Sequence, residues 1–114
     1  MTDPVCRVLP VATLGLELAA VADDAVVAGA PRTGHRELAV VGDVAVGIWE
    51  HTAGSSTDVE VDEAFVVLSG EATVEVAGGP TLQLGPGDLG VLVAGARTTW
   101  HVRTTLRKVY VTHG

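Results

Sequence analysis

Turn residues recur every few positions along this chain, and they leave little room for a long helix. Gly42-Asp43, Gly78-Gly79-Pro80, Gly85-Pro86-Gly87-Asp88 and Gly95 separate short apolar runs. Glycine and proline in such clusters set turn geometry at low steric cost. No segment sustains a helical apolar period over several turns. The runs are rich in valine, whose branched Cβ is stiff and suits a pleated strand. The chain has 114 residues and is 47% hydrophobic, enough for one domain with one packed core. Short strands at this spacing predict an all-β sandwich or barrel.

Charge and cysteine usage exclude some partners. The formal net charge of -7 repels phosphate backbones, so no nucleic acid is expected as a partner. Cys6 is the single cysteine, which forbids an internal disulfide and makes a reducing, cytoplasmic compartment the expectation. Val8 to Ala22 is the most apolar long segment. It is too short for a membrane span and Glu17 interrupts it, so no membrane association is expected. Ala19, Ala20 and Ala22 would suit a cleavage site, but Asp3 and Glu17 argue against a secretory signal.

Taken in order, residues 1–24 read as an N-terminal arm and residues 25–114 as a single barrel domain. Pro4 and Pro10 cannot donate to a ladder, so the arm is expected to be extended or at a sheet edge. Leu14, Leu16 and Leu18 alternate as an edge strand would, although helical spacing over Leu14 to Ala22 fits as well. A turn is expected at Pro31 to Gly34. Strands then follow at Glu37 to Val41 and Val44 to Glu50, with Gly42-Asp43 as the hairpin turn between them. His51 to Ser56 has loop composition. A third strand is expected to begin at Asp58 and to end at Gly70. Glu71 to Ala77, Thr81 to Leu84, Leu89 to Val93, Thr98 to Val102 and Leu106 to Thr112 complete the set. Leu89 to Val93 is apolar enough to be buried on both faces.

One position breaks the pattern. Counting by two, Val59, Val61, Glu63, Phe65 and Val67 share a face of the third strand. If the apolar members face the core, Glu63 does too. A carboxylate on an apolar face needs a partner or a raised pKa, which makes Glu63 a candidate functional residue.

Two stretches carry a resemblance. Glu63, then AFVVLS, then Gly70 resembles the end of the first cupin motif. Gly87-Asp88, an apolar run, Gly95 and Thr98 resemble the second. The implied fold is the cupin double-stranded β-helix, a jelly-roll β-barrel. Gly47-Ile48-Trp49-Glu50, Asp62-Glu63-Ala64-Phe65, Thr99-Trp100 and Arg107-Lys108-Val109-Tyr110-Val111 are similar to phrases in small cupins related to ureidoglycine aminohydrolase and to the ethanolamine-utilisation cupin. The likeness covers roughly residues 25 to 113.

Cupins usually hold a metal with three histidines and the motif glutamate. Here the first two histidine positions fall at Ser56 and Asp58, or at Thr57 and Val59 in a shorter register, and the third at Thr98. Only Glu63 of the set is present, so the resemblance implies a degenerate metal site, and no metal ligands and no cofactor are expected. A divalent metal held by non-standard ligands is a separate reading.

The parity of Thr98 puts Trp100 on the same inward face, and Trp49 is a second candidate wall. His51 shares the parity of Trp49, whereas His101 is expected to face out. The candidate pocket is therefore Glu63 as the catalytic or anchoring carboxylate, with Trp49, His51, Phe65, Thr98, Trp100 and Tyr110 around a small-molecule ligand. Arg97, Arg103, Arg107 or Lys108 is available to neutralise Glu63. Two functional classes fit: a small-molecule-binding cupin, with Glu63 as base in a metal-independent enzyme, or a non-catalytic homodimer with a structural or regulatory role.

Overall fold

A computed structural model of the chain describes residues 5–113; the arm's first residues, with Pro4, and Gly114 lie outside the described residues. The strands are β1 (Ala19–Ala20), β2 (Val26–Ala28), β3 (Arg32–Val41), β4 (Val44–His51), β5 (Gly54–Val59), β6 (Glu63–Val76), β7 (Thr81–Leu84), β8 (Leu89–Leu92) and β9 (Arg97–His113). A 3-10 turn, Asp23–Ala25, precedes β2. Among the described residues no helix is long and apolar enough to cross a membrane.

Two long strands organise the barrel. The first part of β9 lies between β5 and β6, and its second part lies between β4 and β6. The first part of β6 pairs β8 and its second part pairs β7. All pairings are antiparallel, so β6 and β9 run through both walls of a curled jelly-roll sheet. Both strands must bend to do this. The β6–β9 register shifts between Val67 and Ala72, opposite the exposed run Arg103 to Thr105. Gly70 sits in that bend with φ +90°, and a Cβ there would stand 2.1 Å from the Thr105 carbonyl oxygen. Only glycine takes this conformation with a neighbouring backbone so close.

The core fills the space between the walls. Phe65, Val67, Ala72, Val74, Leu84, Leu92, Trp100, Val102 and Leu106 form one buried cluster. These are inward-facing positions of β6, β7, β8 and β9, and within a strand they fall two apart except across the bends. The far end of the Phe65 ring covers Gly90 of β8, where a Cβ would meet Cζ, Cε1 and Cε2.

Several boundaries differ from the sequence expectation. Gly70 bends its strand and does not end it, and the two last expected strands are one, since β6 and β9 keep pairing across the bend. Residues Leu14 to Leu18 form no strand; only Ala19–Ala20 pairs, with β3. β3 begins at Arg32, inside the expected turn. Ser55 and Ser56 belong to β5 and not to a loop, because β9 and β2 pair them on either side. Leu89, Val91 and Val93 are 69%, 66% and 61% exposed, so only one face of β8 is covered. β8 is an edge strand, and the second layer expected over it is absent from this chain among the described residues.

Arginines hold the arm against the barrel. Arg107 pairs with Glu50 at 3.0 Å and donates to the carbonyls of Val11 and Leu14. Arg32 donates to the Leu18 carbonyl at 2.7 Å. Arg107 faces outward on β9, which takes it away from Glu63.

Candidate functional site

The strand register assembles the site. Trp49 on β4 is opposite Lys108 on β9, and Val67 of β6 flanks Lys108 on the other side. Phe65 is opposite Tyr110, and Glu63 is opposite Thr112. Alternation then turns Trp49, Glu63, Phe65, Lys108, Tyr110 and Trp100 toward one interior.

Lys108 is the pivot of that interior. Its Nζ donates to Glu63 Oε2 at 2.6 Å, with side-chain exposures of 5% and 13% for the lysine and the glutamate. The same ammonium lies 4.4 Å from the Phe65 ring centroid, 4.5 Å from that of Trp49 and 4.9 Å from that of Trp100. Ring faces attract a cation electrostatically, and more so when water is kept away. A carboxylate and three rings therefore offset much of the cost of burying this charge.

Glu63 has company that the sequence reading missed. Glu60 is only 8% exposed. Its Oε2 accepts from the Thr98 hydroxyl at 2.6 Å and from Trp100 Nε1 at 3.0 Å. The cause is a change of parity after β5. Pairing with β9 ends at Val59–Arg97, and the chain is then pinned to the next loop: Glu60 N–H donates to Ala96 O, Gly95 N–H donates to Glu60 O, and Ala94 N–H donates to Asp62 Oδ1. The turn points Glu60 inward and leaves Val59 and Val61 58% and 59% exposed. The expectation that Val59 and Val61 share the buried face of Phe65 is thus corrected, although Glu63 and Phe65 keep the shared side. The signal was present: counting by two from Ser56, the first histidine position of the motif, reaches Asp58 and Glu60.

These groups enclose a cavity of about 280 Å³, lined by Trp49, Asp58, Glu60, Glu63, Trp100, Lys108 and Tyr110, with His35 at its edge. A second space of about 290 Å³ adjoins it and shares Trp49, Asp58 and Trp100. His51 lines the second space, not the first. His51 is 1% exposed, with Nδ1 2.6 Å from Thr52 O and Nε2 2.8 Å from Ser56 Oγ. A carbonyl only accepts, so Nδ1 carries the proton and the Ser56 hydroxyl donates to Nε2. Burial pushes the His51 pKa down. Burial, then the charge of Glu60, pushes the Asp58 pKa up. Tyr110 is also raised, by burial first and then by Glu63 and Glu37. Phe65 and Thr98 stand behind the cavity, one under the ammonium and one under Glu60. His101 faces away from it, bonded to Ser55 at 2.9 Å.

The family model for the EutQ-like cupin domain matches residues 39–110. The chain belongs to the EutQ-like cupin family. No curated protein matches it. Solved cupins share its fold at low identity. EutQ of Clostridium difficile aligns with TM-score 0.64 and 18% identity over 73% of this chain and 68% of its own. A Salmonella typhimurium protein assigned to ethanolamine utilization aligns with TM-score 0.62 and 18% identity over 89% of this chain and 97% of its own. Ectoine synthase from P. lautus aligns with TM-score 0.64 and 24% identity over 71% and 63%. These matches bear on the ethanolamine-utilisation side of the resemblance and not on the ureidoglycine aminohydrolase side.

The donor set of this cupin does not fit the metal that its fold commonly holds. The motif glutamate is bonded to an ammonium, which repels a dication. Thr98 at the third histidine position gives its proton to Glu60. Among the described residues no three His, Cys, Asp or Glu side chains are grouped to hold a metal ion. Carboxylate and hydroxyl oxygens without imidazole or thiolate also make a weak transition-metal site.

Proposed function

We propose that this cupin binds a small organic molecule in the cavity between Glu60, Glu63, Trp49, Trp100 and Tyr110, without a metal. The observation that carries the reading is the Glu63–Lys108 pair at the cavity wall. A buried ion pair is weak evidence for stability alone, so its position on a cavity is what points to a ligand. The pair presents adjacent negative and positive charge to whatever enters, which orients a polar molecule. In an enzymatic version Glu63 takes a proton from the bound molecule while Lys108 supplies positive charge beside it. Trp49, Trp100 and Tyr110 form the apolar walls with Phe65 behind them, Thr98 holds Glu60 in place, and His51 with Ser56 closes the adjoining space. The test is a thermal-shift screen of chemically mixed small molecules on wild type and Glu63→Gln. A ligand that stabilises wild type and not the variant supports the reading. No stabilising ligand, or equal stabilisation of both proteins, refutes it.

The reading includes a homodimer in the cytoplasm. Leu89 and Val91 on β8 and Val93 just after it are largely exposed, and Val111 is 41% exposed on the same outer face. Ala64 of β6 pairs Val91 on one side and Val111 on the other, so these residues are continuous across three strands. An apolar sheet face of this kind marks an interaction surface. A non-catalytic dimeric role rests on this face alone. Light scattering should give twice the chain mass for wild type and the single-chain mass for Val91→Glu; a monomeric wild type rejects the dimer.

A further inference from the structure

We propose that the occupant of the cavity beside Glu63 and Lys108 is a small organic cation, an ammonium or amidinium carried on a short apolar body. This rests on the cavity being a ligand site. The charged side chains that line it are Asp58, Glu60, Glu63 and Lys108. Lys108 and Glu63 offset each other at 2.6 Å. Asp58 and Glu60 remain without a cationic partner among the described residues.

Glu60 gives this imbalance a direction. Both of its side-chain hydrogen bonds fall on Oε2, and Oε1 takes none among the described residues. No fully buried side-chain oxygen or nitrogen lacks a partner there, so Oε1 opens on the cavity. Glu60 as a whole is 8% exposed, so a ligand that displaces water from Oε1 without donating to it leaves that oxygen unpaired at a cost. An anionic ligand would add repulsion to that cost, and an apolar ligand would leave it in place. A cation removes it. Asp58 is pushed up by burial first and then by the charge of Glu60, with Lys108 pulling the other way.

The walls suit the same guest. Trp49, Trp100 and Tyr110 line the cavity. Two of them already present their faces to one ammonium, that of Lys108, at 4.5 and 4.9 Å. Aromatic faces beside a carboxylate are the usual surroundings of bound ammonium groups. A volume of about 280 Å³ limits the guest to a few heavy atoms beyond its charged head.

Both tryptophans of the chain line the cavity, so their fluorescence reports occupancy. The probes are butylammonium, butan-1-ol and butanoate, which share one apolar body and differ in head-group charge, titrated at constant ionic strength. Butylammonium is expected to give a saturable change and to bind about tenfold or more tightly than the alcohol. Glu60→Gln should bring the two to equal affinity, with Asp58→Asn giving a partial loss if the first variant does not fold. Equal or tighter binding of the alcohol or of butanoate by wild type overturns the cation and leaves the cavity reading standing. No change with any of the three probes also overturns the cation, and the screen of mixed small molecules then decides the cavity reading separately.

Discussion

Lys108 Nζ lies 2.6 Å from Glu63 Oε2, and the two residues come from strands 45 positions apart in the chain. The pair is nearly dry on both sides. Removing one partner leaves the other charge buried and uncompensated, which costs about 3–5 kcal/mol in such settings. Lys108→Met and Glu63→Gln should each lower stability by about that much, and the double variant should recover most of the loss. Chemical denaturation of the four proteins measures the cycle. Additive losses would mean that the pair is not coupled.

His51 gives a pH dependence of definite sign. Burial holds its folded pKa below the ordinary 6.5. As pH falls through 6.5 the unfolded chain takes this proton first, so the folded state is progressively disfavoured. The loss stops growing once pH is below the lowered folded value. Melting temperature should therefore fall from pH 7.5 toward pH 5 more steeply in wild type than in His51→Gln. Parallel profiles would contradict the buried, neutral imidazole.

Gly70→Ala tests the bend that joins the two walls. The variant needs φ near +90° with its Cβ against the Thr105 carbonyl. Strain of this kind costs about 1–3 kcal/mol per residue, and the close approach adds to it. Gly78→Ala is the control: it also has positive φ, but nothing lies within 4 Å of its Cβ. Equal loss in the two variants would mean that the backbone conformation alone, and not the crossing with β9, requires glycine at position 70.

Phe65→Ala should cost about 3–5 kcal/mol, because the ring is 1% exposed, fills the space over Gly90 and lies under the ammonium. A loss of less than about 1 kcal/mol by chemical denaturation would mean that the core closes around the gap.

Much of this architecture was legible because its causes are local. Turn glycines divide the chain, and period-two alternation places Glu63 with Phe65 and Trp100 with Thr98. The cupin resemblance of Glu63 to Gly70 then supplied the jelly roll. What alternation misses is any point where a strand bends or a loop resets parity. Gly70 reads as an end because glycine marks ends and bends alike. Glu60 reads as solvent-facing because hydrogen bonds from residues 94–96, far along the chain, decide which way its turn points. The choice of Lys108 over Arg107 as the partner of Glu63 follows from one residue of register on β9, which sends Arg107 out to Glu50 and the arm. Leu89, Val91 and Val93 read as doubly buried because composition records apolarity and not whether a neighbour exists to cover it.

An ammonium, that of Lys108, stands beside the motif carboxylate where this fold commonly carries a metal ion. The direct measurement is elemental analysis of protein purified without a histidine tag and then exposed to manganese, iron, nickel and zinc before desalting. Metal is expected well below one equivalent per chain, unchanged by Glu63→Gln. Near-stoichiometric metal in wild type that is lost in Glu63→Gln would contradict this expectation.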